Sequence, residues 1–193
     1  DRFFVVCSNL LGGCQGTTGP RSIDPATGRR YGMSFPPITI SDLVAVQRRL
    51  LHHLGVRRLH AAVGGSLGGM QVLQWLLDWP GEIERAVMVC ATSALSAQNI
   101  ALSTAARSAI LRDPAFRGGE YEDGEGPDVG LAVARMIGHI TYLSEHGMAE
   151  KFGRDRRDGR TDARLEDAET WLGTAFEVES YLYHQAASFL RRF

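Results

Sequence analysis

Cysteine is scarce and unpatterned in this sequence. The three thiols, Cys7, Cys14 and Cys90, are odd in number, and no two of them stand in a C-x-x-C pair. That excludes a disulfide framework and a thiolate zinc site as organising elements, and it points to a reducing, cytoplasmic compartment. No apolar run approaches the roughly 20 residues of a membrane span, and no signal-peptide pattern opens the chain, so no membrane partner is expected. Lysine is nearly absent, Lys151 being the only one among 21 basic residues. The arginines are scattered or mixed with acids, and a net charge of −1 leaves no excess for holding a polyanion. Nucleic acid is not an expected partner.

What remains is a chain of 193 residues, 44% hydrophobic, enough for one domain with a true core or for part of a larger one. It does not begin with Met, and "DRFFVVCSNLL" reads as mid-domain sequence, so a natural start further upstream is expected. Phe3 to Cys7 is a short apolar, β-branched run that predicts a buried strand, followed by a glycine-rich loop. From Ser41, read as an N-cap, Leu43, Val46, Leu50 and Leu54 recur at helical spacing, and Gly55 sits where a C-terminal cap belongs. Leu59 to Val63 predicts a second strand, Met70 to Leu77 a second helix ending at Pro80, and Ile83 to Ala91 a third strand. Strand and helix alternating at this spacing predict an α/β fold, a parallel sheet layered between helices. After Ser93 only helical stretches follow, near 94–112, 127–146 and 177–192. Residues 1–93 thus read as an α/β core and 94–193 as a separate helical layer. The charged stretch over 150–170 reads as a solvated loop or helix face.

The stretch "HAAVGGSLGGMQVLQW", His60 to Trp75, carries the chemistry. A Walker loop needs Lys and then Ser or Thr after its last glycine, whereas Gly69 is followed by Met70 and Gln71. A dinucleotide fingerprint needs G-x-G-x-x-G, and these glycines do not fall in that register. No cofactor or metal is therefore expected. The pattern that does fit is G-x-S-x-G, Gly64, Gly65, Ser66, Leu67 and Gly68, between a predicted strand and a predicted helix. In that setting Ser66 is the candidate nucleophile. Glycine at 64 and 68 is expected to relieve collisions around the strained turn, and the Leu67 N–H is the candidate oxyanion donor. The competing reading makes Ser66 a plain N-cap in a tightly packed turn.

A second constellation lies in "GLAVARMIGHITY", where Arg135, Gly138, His139 and Tyr142 fall at i, i+3, i+4 and i+7. They form a polar stripe on a helix whose other positions, Val133, Met136, Ile137, Ile140 and Leu143, are apolar. From spacing alone, Arg135 is either a ligand-binding cation or a structural arginine, ion-paired or snorkelling.

These stretches resemble the homoserine O-acetyltransferases of methionine biosynthesis, within the α/β-hydrolase superfamily. The likeness runs through "FFVVCSNLLGGCQGTTGP", "YGMSFPPITISDLVAVQRRLLHHLG", "GGSLGGMQVLQW", "DPAFRGGEY", "GLAVARMIGHITYLSE", "KFGR" and "FEVESYLYHQAASFLRRF", nearly the whole chain in the family's order. It departs in the longer, more charged segment between "KFGR" and "FEVESYL". The resemblance implies a partial α/β-hydrolase fold with a helical lid, and a ping-pong transfer of acetyl from acetyl-CoA, a co-substrate, to the hydroxyl of L-homoserine through Ser66. It implies substrate contacts at Arg135 and Tyr142, with Arg135 clamping the carboxylate, and a homodimer through lid helices. The family's second oxyanion donor would precede Asp1, and the triad Asp and His would follow Phe193 in the order Ser, Asp, His. None of the six histidines suits the base: His52, His53 and His60 precede the elbow, while His139, His146 and His184 sit in helical stretches. The 193 residues alone are thus expected to be inactive. A succinyl donor, a serine acceptor, a plain serine esterase or thioesterase, and a non-catalytic product are the alternatives.

Overall fold

The computed structural model describes residues 2–122, 124–156 and 176–191. It divides into two compact units, Asp1–Leu95 and Ser96–Phe193. Among the described residues no helix is long and apolar enough to cross a membrane.

In the first unit, helix α1 (Ile40–His53) starts two residues earlier than Ser41 as a cap would allow. Thr39 and Ser41 are both good capping residues, but only Thr39 has a carboxylate three positions on. The Thr39 hydroxyl accepts from the Asp42 N–H at 3.1 Å and the Asp42 carboxylate accepts from the Thr39 N–H at 2.9 Å, a reciprocal box. Ser41, whose third follower is Val44, instead donates to Asp78 at 3.0 Å. At the other end Gly55 takes φ +80°, with Gly55 N–H donating to His52 O at 3.1 Å and Val56 N–H to Leu51 O at 2.8 Å. These two bonds form a Schellman cap, and Val56 packs on the core beneath it.

Of the expected stripe only Leu43 is buried, on a face it shares with Val44 and Leu51, while Val46, Leu50 and Leu54 are exposed. The reason is that two inward positions are polar and carry their partners with them. Gln47 donates to Gln71 at 2.6 Å, and Arg48 grips Glu82 through Nε and Nη2 at 2.6–3.0 Å.

Strands β1 (Ala62–Gly65) and β2 (Ala86–Val89) are parallel, with Ala62 opposite Ala86 and Gly65 opposite Val89. Helix α2 (Leu67–Asp78) is the crossover between them; it packs on both strands and α1 packs on it. Val44, Leu51 and Trp75 form the core, flanked by Ile40, Val56, Leu59, Trp79 and Ile83. The strand expected over Phe3 to Cys7 is not formed. β1 and β2 pair only with each other, so this run has no ladder partner among the described residues, and Phe4 and Val5 are 73% and 84% exposed. An apolar run is buried as a strand only where a neighbour exists to receive it.

The second unit is helical: α3 (Ala97–Arg112), α4 (Asp128–Thr141), α5 (Glu145–Phe152) and α6 (Glu177–Leu190). The single helix expected over 127–146 is two, because the Ser144 hydroxyl accepts from the Gly147 N–H at 3.1 Å and starts α5. α4 packs on both α3 and α6. It crosses α3 at Gly130, where a Cβ would stand 2.6 Å from Ile110 Cα, and Asp113 ties the two by accepting from Gly130 N–H at 2.8 Å. Most of the charged 150–170 stretch lies outside the described residues; its start belongs to α5.

The Arg48–Glu82 pair binds α1 to the segment leading into β2. Trp75 Nε1 donates to Glu82 at 3.2 Å, and the Arg48 guanidinium lies 4.7 Å from the Trp79 ring centre. The Arg48 hydrogen bonds hold the Glu82 carboxyl below its usual range, against the opposing effect of burial. A carboxyl whose folded value is lowered stabilises fully above its unfolded value, about pH 4.3, and the gain is lost as pH falls towards the folded value. Denaturant titrations at pH 6 and pH 3.5 should therefore show a larger acid loss in the wild type than in Glu82→Gln, which keeps only the share from the lowered Asp42 and Asp113 carboxyls, with Glu82→Gln the less stable of the two at pH 6.

Candidate active site

β1 ends at Gly65 and α2 begins at Leu67, so Ser66 alone makes the turn, at φ 52°, ψ −121°. That conformation is costly for a residue with a side chain and persists only where its surroundings enforce it. Main-chain bonds do so from both sides. The Ser66 N–H donates to Val89 O at 2.9 Å, extending the β ladder, and Ser66 O accepts from Met70 N–H at 3.2 Å, opening the helix. The side chain takes no part: it makes no capping bond to α2, and Ser66 is exposed at the sheet's carboxyl edge. A serine acting only as an N-cap would accept from the first turn, so the capping reading lacks its defining bond. The Leu67 N–H, in that first turn, has no acceptor among the described residues and sits at the positive end of the α2 dipole.

The glycines divide differently from expectation. A Cβ on Gly64 would collide with the Gly68 carbonyl and stand 2.7 Å from Gly69 N. The second requirement falls on Gly69, not Gly68: a Cβ there would lie 2.5 Å from Ala91 Cβ and 3.1 Å from Gly64 O. At Gly68 nothing lies within 4 Å, and at Gly65 the nearest atom, Val89 O, is at an ordinary 3.9 Å. Gly69 escaped the motif reading because G-x-S-x-G ends one residue too early. The doubled glycine after Leu67 was the available signal. Beside Ser66, one register step past the Gly65–Val89 pair, Cys90 also takes φ 52° and is exposed.

Among the described residues no carboxylate or imidazole is hydrogen-bonded to the Ser66 hydroxyl. His60 lies six residues upstream, before the opposite end of β1. It stacks on Phe3 and approaches Glu84 at 3.3 Å. His52 and His53 close α1.

In the second unit the stripe on α4 is buried only at His139, with Arg135 and Gly138 partly covered. His139 is 8% exposed and Gly130 is buried, while Val129, Val133 and Ile140 face outward. Arg135 has no ion-pair partner among the described residues; its guanidinium lies 5.1 Å from the Phe189 ring centre, and its Nε is buried without a hydrogen-bond partner. Tyr142 caps α4 at its C-terminal end and is 64% exposed, with its hydroxyl lying back over Gly138, 3.7 Å from where a Cβ would be. His139, expected only to pack, bonds through Nδ1 to the Tyr181 hydroxyl at 2.8 Å. Burial, then the nearby Arg135 and Lys151 charges, pushes its pKa down.

Residues 1–191 match the family described as the alpha/beta hydrolase fold. A homoserine O-succinyltransferase of Nocardioides sp. is 57% identical over 195 residues, covering 100% of this chain and 51% of the relative. A homoserine O-acetyltransferase of Gluconobacter oxydans is 52% identical over 195 residues, covering 100% and 49%. Among solved structures, the homoserine O-acetyltransferase from Bacillus anthracis superposes with TM-score 0.76 at 29% identity, over 90% of this chain and 45% of that one. Esterase E22 superposes with TM-score 0.73 at 31% identity, over 89% and 46%. The chain spans about half the length of the curated relatives it matches.

Two outcomes follow from the geometry. Gly69→Ala should destabilise the fold by about 1–3 kcal/mol through overpacking at Ala91, whereas Gly68→Ala should be neutral or stabilising by up to about 1 kcal/mol, read from urea unfolding. Because the folded pKa of His139 is lowered, the unfolded chain binds the extra proton first as pH falls. Stability should therefore drop on acidification below about pH 6.5 until the folded value is reached, and His139→Asn should show a smaller drop in melts between pH 7.5 and 5.5, keeping only the share from His52, whose pKa is lowered too.

Proposed function

The chain belongs to the alpha/beta hydrolase fold family, and from that membership we propose that Ser66 is the nucleophile of an enzyme that transfers an acyl group from acyl-CoA to the hydroxyl of L-homoserine. The observation that carries the reading is the backbone at Ser66: a strained residue standing alone between β1 and α2, its hydroxyl exposed and spent on no structural bond. The names of the curated relatives, homoserine O-succinyltransferase and homoserine O-acetyltransferase, support the acceptor and leave two donors in play. Acetyl-CoA is the donor we propose.

In the first half-reaction Ser66 Oγ, losing its proton to a base, attacks the thioester carbonyl. The tetrahedral oxyanion is met by the Leu67 N–H, and collapse breaks the C–S bond and releases CoA, which takes up the proton. In the second, the homoserine hydroxyl gives its proton to the same base and attacks the acyl-serine ester; the C–O bond to Ser66 breaks and the serine oxygen recovers a proton. The base, its orienting acid and a second oxyanion donor are proposed to lie in the rest of the whole protein. Arg135 is proposed to hold the acceptor's carboxylate, with Tyr142 as a second contact; an arginine without an ion-pair partner among the described residues is free for that role. A reducing, cytoplasmic setting, supported by three free thiols, and self-association through the helices of the second unit belong to the same proposal.

A serine esterase is the second reading, favoured by the likeness to esterase E22. The two separate on one assay of the whole protein: CoA release from acetyl-CoA with and without L-homoserine. Transfer requires that steady release depend on the acceptor and yield O-acetylhomoserine; equal release without it identifies a hydrolase, and a preference for succinyl-CoA corrects the donor. Ser66→Ala should lower either activity by about 10⁴-fold or more. The 193 residues alone, with no proton acceptor bonded to Ser66 among those described, should show neither.

A further inference from the structure

His139 is the one buried histidine among the described residues, and its surroundings leave little choice of protonation. The Tyr181 hydroxyl hydrogen has no acceptor among the described residues other than His139 Nδ1, 2.8 Å away. The arrangement that gives the Tyr181 hydrogen an acceptor within the described residues has Tyr181 donating, Nδ1 accepting and the proton of the neutral imidazole on Nε2. Nε2 is buried with no oxygen or nitrogen partner. A second proton on the ring would displace the tyrosine's donation and set a cation against Arg135, one turn earlier on α4, and Lys151 on α5, whose Nζ lies 4.9 Å from the Tyr181 ring centre. The ring itself is clamped between two tyrosines, with centroids 5.1 Å from Tyr142 and 5.5 Å from Tyr181 and both contacts edge-wise. Such pairs have a preferred geometry, so fixing one ring fixes its neighbour.

We propose that His139 is a positioning residue: locked by Tyr181 as the neutral Nε2–H tautomer, it sets the Tyr142 ring and keeps the face of α4 beside Arg135 uncharged, so that one guanidinium meets the acceptor's carboxylate. This rests on the reading of Arg135 and Tyr142 as acceptor contacts. His139 touches neither donor nor acceptor; it acts through its neighbours. A lone guanidinium offers the carboxylate a directed fork, whereas an added imidazolium would offer diffuse positive charge and a displaced Tyr142.

The test uses the whole protein. A long-range ¹H–¹⁵N spectrum should show His139 protonated on Nε2 alone, and Tyr181→Phe, which keeps every ring, should release it to a mixture of tautomers. His139→Asn keeps an acceptor for Tyr181 but removes the ring, and His139→Phe keeps the ring but removes the acceptor. His139→Asn should raise the KM for homoserine between about tenfold and a hundredfold, with the burst of CoA that reports acyl-Ser66 formation unchanged, and His139→Phe should raise it less. A proton on Nδ1, a folded His139→Asn with the wild-type KM, or equal losses in both half-reactions would overturn the proposal. If the wild type releases CoA without regard to acceptor, the functional reading fails and this role falls with it. If the wild type transfers and the variants match it, only this role fails.

Discussion

The contact on which the first unit turns is backbone against backbone: the opening of α2 lies directly on the end of β1. Gly64 and Gly69 make that approach possible, since a Cβ on either would stand inside its neighbours. The approach leaves one residue to reverse the chain. One residue cannot do so in a relaxed conformation, and so the φ of 52° at Ser66 is a consequence of packing distance and not a separate feature. The same closeness brings Ser66 N–H onto Val89 O and starts the helix at Leu67, which directs the first free N–H groups of α2 towards the serine. Strain, exposure and a local positive potential thus share one steric origin.

The rest of the first unit keeps that contact in place. The apolar core is small, a cluster of three buried side chains with five partly buried ones packed against it, and the Arg48–Glu82 pair sits at its rim. Half-buried pairs add little stability when isolated. This one is bidentate, shares its carboxylate with Trp75 and stacks its guanidinium on Trp79, so it specifies how α1 and the approach to β2 meet. The second unit uses the opposite economy. α3 buries no residue, and α4 is located by a glycine crossing and a carboxylate that accepts backbone N–H groups at both ends of the connection.

How much of this was legible in the sequence depended on how local the cause was. The Gly55 cap, the order of the first two helices and the serine turn are written within a few residues each, and they were read correctly as local structure. The start of α1 was missed by two residues because two acceptable caps stood side by side; the reciprocal carboxylate at Asp42 decided between them. The inward face of α1 was misread because Gln47 and Arg48 look solvent-seeking until Gln71 and Glu82 are placed opposite them. Phe3 to Cys7 reads as buried because apolar residues in a run normally have a neighbour, and pairing is a property of the sheet, not of the run. In the site, Ser66 is visible through its motif, and the doubled glycine hints at Gly69, but that the clash falls on Gly69 and not Gly68 depends on Ala91, 22 residues on. His139 looked like packing because Tyr181 is 42 residues away.

The support of Ser66 is composed entirely of main-chain bonds and missing side chains. Val89 O, Met70 N–H, Gly64 and Gly69 hold the backbone, and none of them touches the hydroxyl. Mount and warhead are therefore independent parts. A cysteine or an aspartate substituted there would be displayed at the same edge, over the same helix terminus, as a thiolate or a carboxylate. A scaffold of this kind can diverge in chemistry by changing one codon while every contact that shapes it stays as it was.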